Sequence, residues 1–533
     1  MSEIDRGTFK SRGHKGSKLL RIIMAVSIVA VLFASSLSLL SNPSSEIPPE
    51  ISPTPARTAY TPHATIFING NAGFLGSNAT TGITNGSGTA VDPYIIEGWD
   101  IAALTADGIE IRNASVHFTI RNCYVHDDAT AYFGIMLLNC TNGILSGNNC
   151  SLNPYGILLW LSNNNTLINN TCSNNDNGIY LQSSSNNTLS NNTCSSNKWY
   201  GIDLSSSNSY NTLVNNTCSD NRVGMNIIES NHNTLSNNTC SSNNDYGIYL
   251  YSVSNNTLSN NNCSNNNRGI YIYSSSSYNT LINNTCSDNN VGIYLYLVSN
   301  NTLSNNNCSS NNNVGIWAYS SSNNTLFNNT CSDNIAGIDI YSSSHNTISN
   351  NTCSSNSQGI KVTTFSSNNV LSNNTFSSNV QFGIYLSGWS SNNTISWNQV
   401  CNNTFQGVYL YSGSNNRVWN NTFYHNNGSG DTYNQAMNQA LDSGGINWWN
   451  STNGYGNYWA DWTTPDDVYR FGIVDLPYNI TGTRHAKDYY PLTSPKVSAP
   501  PIPEFSNLIV PILGMILSVL LIKSRHIMRR EQF

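Results

Sequence analysis

A glycine followed by an apolar residue returns every 22 to 24 residues through most of this chain, at Gly134, Gly156, Gly178, Gly201, Gly224, Gly247, Gly269, Gly292, Gly315, Gly337, Gly359, Gly383 and Gly407. The spans between them are nearly the same each time, as in 247-GIYLYSVSNNTLSNNNCSNNN-267. A fixed period of this length marks a solenoid, in which each unit buries its apolar face only against its neighbours. With 9% charged residues and abundant Asn and Ser, composition alone would read as disorder. Apolar residues held in strict register exclude that reading.

One repeat specifies its own path. After Gly247, Ile248 and Leu250 alternate with Tyr249 and Tyr251, a period of two that predicts a strand with one buried face. The Ser/Asn run at 252–256 is a turn, Leu258 begins a second short strand, and Cys263 points back inside after a bend at Asn260–Asn262. Asn suits such bends because it tolerates left-handed backbone angles. Strands this short cannot form an independent sheet, but stacked in register they make three parallel sheets around a narrow apolar interior. The expected fold is all-β, a right-handed parallel β-helix of about 13 or more coils with a rise of roughly 4.8 Å per coil. Helical and leucine-rich repeats fit badly, since no segment carries a 3.6-residue apolar period.

The repeats and their flanks resemble the NosD-type β-helix family, which carries the "periplasmic copper-binding" label and the carbohydrate-binding and sugar-hydrolase repeat. The segments 65-TIFINGNAGF-74 and 92-DPYIIEGWDI-101 are similar to the family's lead into the first coil, and 447-NWWN-450, 456-GNYWADW-462 and 488-DYYPL-492 to its closing segment. Where relatives carry an acidic, Gly-rich run, this chain has 466-DDVYRFGIVD-475, which speaks against calcium there. The resemblance implies copper, but a copper site needs clustered His, Met or exposed Cys. His117, His126, His232, His345 and His425 are scattered among different repeat positions, so no cofactor is expected.

Both termini read as membrane signals. Arg6, Lys10, Arg12, Lys15 and Lys18 precede an apolar run from Ile22 to Leu40, the pattern of a signal peptide or N-terminal anchor over 1–41. A Pro-rich linker follows at 42–59, then an N-terminal cap and first strands at 60–110, repeats at 111–424 and a C-terminal capping segment at 425–493. A second Pro-rich linker at 494–505 ends in Pro503-Glu504-Phe505, and 506–533 is an apolar helix with a basic tail. This arrangement resembles the archaeal PEF-CTERM sorting signal, which implies an archaeosortase-type processing enzyme and attachment to the outer face of the cell membrane. The basic tail belongs on the cytoplasmic side and the body of the chain outside. Asn-x-Thr sequons at Asn191, Asn215, Asn237 and Asn283 are glycan acceptors in principle, although a repeated Asn-Asn-Thr turn also generates them by arithmetic.

Ten cysteines share one repeat position: Cys150, Cys172, Cys194, Cys218, Cys240, Cys263, Cys286, Cys308, Cys331 and Cys353. Apolar packing, disulfides between coils and a metal or redox ladder are all open to such a file. In the next coils the position holds Phe376, Val400 and Phe423, which favours packing. Parallel neighbours also hold their β-carbons about 4.8 Å apart, beyond the usual disulfide range. Cys123, Cys140 and Cys401 fall outside the file and have no assigned role.

The most functional-looking feature is aromatic. Two places after the glycine stand Tyr249, Tyr271, Tyr294 and Trp317, and four places after it Tyr251, Tyr273, Tyr296, Tyr319 and Tyr341. Alternation turns both columns outward, a patch roughly 15–20 Å long suited to sugar rings or a protein partner. Identical neighbours also stabilise a parallel sheet by stacking. Catalysis has less support. Asp203 and Asp339 replace the first-column aromatic about 29 Å apart, Asp288 and Asp333 occupy turn positions, and no Lys or Arg is expected in the same column as a lyase base. The low positive charge excludes nucleic acid as a partner. A non-catalytic surface protein that binds glycan or envelope proteins is expected, with a structural stalk as the alternative and a polysaccharide-active enzyme as a remote one; a cleft would be sought in 424–495.

Overall fold

The computed structural model describes residues 60–495 apart from 77, 127–131, 463–471, 475 and 484. The N-terminal signal and linker, the apolar C-terminal segment and Pro503-Glu504-Phe505 lie outside the described residues. Among the described residues, no helix is long and apolar enough to cross a membrane.

Each coil contributes to one sheet a strand of at most six residues that contains the repeat glycine, as in Tyr246–Tyr251, Arg268–Tyr273, Val291–Tyr296 and Val314–Tyr319, or starts just after it, as in Ile135–Leu138, Ile384–Leu386 and Val408–Leu410. These strands stack in parallel into a 16-stranded sheet running from Ile66–Asn69 to Ala440–Asp442. A second sheet of 15 strands, here the Thr-Leu sheet, runs from Tyr94–Glu97 through Thr257–Ser259 to Arg417–Trp419. The third face forms sheets of 4 and 5 strands near its two ends. Between them successive coils meet through single bridges such as Thr217↔Thr239 and Thr285↔Asn307. Within the segment read as cap and first strands, Ile66–Asn69 pairs in parallel with Ile109–Arg112. At the other end Tyr458–Trp459, from the predicted capping segment, pairs with Thr422–Tyr424.

The interior follows the alternation in the sequence. Ile248, Leu250, Leu258 and Cys263 of one coil are all fully buried, and their equivalents lie directly above and below. Corners are left-handed: Ser252, Asn255, Asn260 and Asn265 have φ of 52°, 58°, 55° and 59°. The sequons' acceptor residues Asn191, Asn215, Asn237 and Asn283 sit at such corners and are exposed.

The residue after each of these corners has the opposite fate. Asn256 and Asn261 are each 1% exposed, and they belong to files of asparagine that run the length of the body. Asn261 donates its backbone N–H and its Nδ2 to Asn284 Oδ1, at 3.0 and 2.9 Å, while Nδ2 also reaches Leu235 O in the preceding coil at 3.0 Å. One amide thereby ties three coils and satisfies turn N–H groups that the strand ladders leave unpaired. Cys123 starts this file, donating its N–H to Asn148 Oδ1 at 3.1 Å. Cys140 starts a parallel file of serines, donating to Ser162 Oγ at 3.0 Å.

The file of ten cysteines continues into Phe376, Val400, Phe423 and then Trp459 by strand register. All 13 cysteines are free and buried, Cys401 beside Val400 included. All ten members of the file are fully enclosed, and burial pushes the Cys150 and Cys263 thiols well above their ordinary range, so the file packs as small apolar side chains out of reach of reagents. Native protein is therefore expected to resist alkylation by iodoacetamide, and guanidinium without reductant should release all 13 thiols. Rapid native labelling, or fewer thiols after unfolding, would contradict the packed file.

Candidate functional site

Strand register brings the predicted aromatic columns together. Tyr249, Tyr271, Tyr294 and Trp317 are consecutive partners, as are Tyr251, Tyr273, Tyr296, Tyr319 and Tyr341. Ring stacking runs along both files: Tyr271 and Tyr294 have centroids 5.0 Å apart at 10°, and Tyr273 and Tyr296 5.1 Å apart at 8°. Stacking also crosses between them, Tyr294 lying 5.8 Å from Tyr296 at 2°.

The two files are not equally open, which corrects the expectation of one flat exposed patch. Tyr271 and Tyr294 are only 8% and 7% exposed. The residues just before the repeat glycines form a further file on the same face, and there Val291, Val314 and Ala336 pack against these two rings as a second apolar layer outside the main core. Burial raises the Tyr271 phenol and pushes Tyr294 up to about 12, with Arg268 opposing both shifts. The outer file of Tyr251, Tyr273, Tyr296, Tyr319 and Tyr341 remains partly exposed along the top of that layer, as do Tyr249 and Trp317.

Two cations in this region escaped the sequence reading. Arg268, directly before Gly269, lies over the Tyr246, Tyr271 and Tyr294 rings at 5.4, 4.9 and 5.1 Å. Lys361 stands next to Asp339 in the first aromatic column, contrary to the expectation that no Lys or Arg lies there, and pairs with it at 3.0 Å. Asp339 and Lys361 are each two places after a repeat glycine, so the repeat itself carried the signal for that pair.

The acidic candidates do not converge. Asp203 is six coils away from Asp339 by register and accepts hydrogen bonds from Ser205 Oγ at 2.6 Å and Asn226 Nδ2 at 2.8 Å. Burial pushes its carboxyl up to about 6 against those two donors. Burial likewise raises Asp339, with Lys361 opposing. Asp288 and Asp333 are exposed left-handed corner residues, each with φ of 58°.

Metal donors do not converge either. His126 Nε2 faces Asp100 at 3.0 Å and His425 faces Asp431 at 3.3 Å, while the His232 ring stacks on Tyr210 at 5.0 Å. His117 and His345 belong to no such cluster. Among the described residues, no group of three His, Cys, Asp or Glu could hold a metal ion, and the thiols are enclosed. This donor set does not fit copper.

Comparison with known proteins agrees with the ladders. A model described as the periplasmic copper-binding protein NosD matches residues 68–239, and one described as a right-handed β-helix region matches 200–307, 227–363 and 298–454. No curated protein matches the chain by sequence. Among solved structures, the A-module of mannuronan C-5 epimerase AlgE6 from Azotobacter vinelandii is 14% identical, over 60% of this chain and 91% of its own, with a TM-score of 0.38. The Dettilon tailspike protein is 17% identical over 55% of this chain and 61% of its own length, also at 0.38. The periplasmic alginate epimerase AlgG is 12% identical over 64% and 80%, at 0.28. The two family models together run from residue 68 to residue 454, and with the parallel ladders they identify this chain as a right-handed β-helix protein.

Proposed function

We propose that this chain is an exported recognition protein, held at the outer face of the cell membrane, that binds carbohydrate through its outer tyrosine file. The observation that carries the reading is the partly exposed run of Tyr251, Tyr273, Tyr296, Tyr319 and Tyr341, one ring per coil, seated on a buried aromatic layer. Its rings are ordered before any ligand arrives, so little side-chain entropy is lost on binding. Ring faces take the apolar faces of sugars and the hydroxyl edges supply hydrogen bonds. Few charges compete on this surface, in keeping with the 9% charged composition. The periplasmic family model and the basic, apolar N-terminus support a location outside the cytoplasm. An archaeosortase-type enzyme acting at Pro503-Glu504-Phe505 would complete the anchoring. Envelope proteins are the second class of partner for the same face.

A purely structural rod is the competing reading, favoured by the burial of Tyr271 and Tyr294. The experiment is a glycan array with purified protein and with a Tyr273→Ser, Tyr296→Ser, Tyr319→Ser variant. These three are partly exposed, so the variant should keep its circular dichroism while its affinity falls at least about tenfold, a loss of some 1.4 kcal/mol. Equal binding by both proteins would assign the file to sheet stability alone.

A further inference from the structure

The repeat is broken on one stretch of surface. In the Thr-Leu sheet the strands from Thr257 to Thr347 begin with Thr, and the left-handed corner after each is Asn, as at Asn260, Asn283, Asn305, Asn328 and Asn350. In the last two strands Arg417 stands opposite Thr394, Trp419 opposite Ser396, and Trp397 takes the corner with a φ of 62°. Asn is comfortable there and a bulky ring is strained, a cost that persists at sites where the side chain has a task.

These departures form one wall of a cleft. Trp448 bridges to Arg417, and Ser451–Tyr455 supplies the opposite wall, enclosing about 650 Å³. Volumes of this size hold small organic ligands. Trp397 and Trp419 meet nearly edge to face, 6.1 Å apart at 71°, and Tyr455 is 46% exposed. The Arg417 guanidinium lies 5.6 Å over the Trp448 ring, and among the described residues no carboxylate pairs with it. Asn420, 5% exposed, lines the cleft, and its Oδ1 has no hydrogen-bond partner.

We propose that this cleft is a second carbohydrate site, separate from the tyrosine file, selective for an oligosaccharide bearing an anionic group. Trp419 and Trp397 receive sugar rings, Arg417 takes the carboxylate or sulfate, and Asn420 and Asn453 offer hydrogen bonds to hydroxyls. A neutral glycan would leave the guanidinium unanswered, so the charge sets the preference.

Calorimetric titration of the full chain with an oligogalacturonate, a sulfated galactan oligosaccharide and a neutral galactan oligosaccharide tests this. At least one anionic probe should bind ten times or more tighter than the neutral one, and which of the two does so identifies the anion. Arg417→Gln should bring that affinity down to the neutral level. Trp397→Asn restores the residue found at the other corners, so it should fold at least as well as the parent and yet bind tenfold more weakly. Gly430→Ala, at a residue that lines neither the cleft nor the tyrosine file, should leave this binding unchanged. Failure of every probe to bind, equal binding of charged and neutral probes, or discrimination that survives Arg417→Gln would overturn the proposal without touching the tyrosine file.

Discussion

Replacing Asn284 with alanine is expected to destabilise the solenoid by about 4 kcal/mol, since three polar groups are then left dry at about 1–3 kcal/mol each. The side chain is fully buried. Its Oδ1 accepts the N–H and the Nδ2 of Asn261, at 3.0 and 2.9 Å, and its own Nδ2 donates to Leu258 O and to Asn306 Oδ1, each at 3.0 Å. Truncation leaves the Asn261 N–H and one of its two Nδ2 hydrogens without an acceptor, and takes the Asn284 donor from the Leu258 carbonyl, in a space that solvent does not reach. The neighbouring Asn283 supplies the control: it is exposed at a corner with φ of 55°, so alanine there costs only the left-handed backbone penalty, about 1–2 kcal/mol. Guanidinium unfolding followed by circular dichroism separates the two. Because each coil is stabilised mainly by its neighbours, the Asn284 variant should also unfold over a broader transition as the two halves uncouple. Equal losses at 283 and 284 would mean that the buried file contributes nothing beyond turn geometry.

That contrast between adjacent asparagines marks where the sequence stops being legible. Period, strand alternation and the cysteine file extending through Phe376, Val400 and Phe423 were all readable, because each is a repeated choice between apolar and polar. Asn283 and Asn284 are chemically identical and adjacent, and the two-residue alternation that assigns faces in a strand does not extend around a left-handed corner. Only the stacked backbone decides that one faces water and the next donates inside. The tyrosine files failed to separate for a related reason. Alternation turns Tyr271 and Tyr273 to the same side, but Tyr271 is covered by residues standing before the glycines, a file the repeat text does not advertise. Trp397, Arg417 and Trp419 were missed for the opposite cause: they are departures from the pattern, and a reading built on repetition discounts them.

Gly292→Ala is expected to be severely damaging for a single added methyl, costing about 3 kcal/mol or more, the upper part of the range for overpacking. The familiar reason for an invariant-looking glycine does not apply, since Gly292 is absent from the left-handed positions that the corner residues occupy. The reason is proximity. A Cβ there would stand 2.5 Å from Gly315 O, 2.8 Å from Cys286 O and 3.0 Å from Asn311 Nδ2. Two of those atoms are backbone carbonyls and the third belongs to a buried asparagine file, so none can rotate away. The same clash recurs at Gly247, against Gly269 O at 2.6 Å and Cys240 O at 2.8 Å, which is why the residue returns with every coil. Relief would require lifting one coil off the next, and that breaks the sheet and the asparagine file together. Gly430 has open space where its Cβ would go and an ordinary backbone, so Gly430→Ala should change stability by no more than about 0.5 kcal/mol. Thermal and guanidinium unfolding of the two variants decide the matter: if they melt alike, the glycine column is not set by the spacing of the coils.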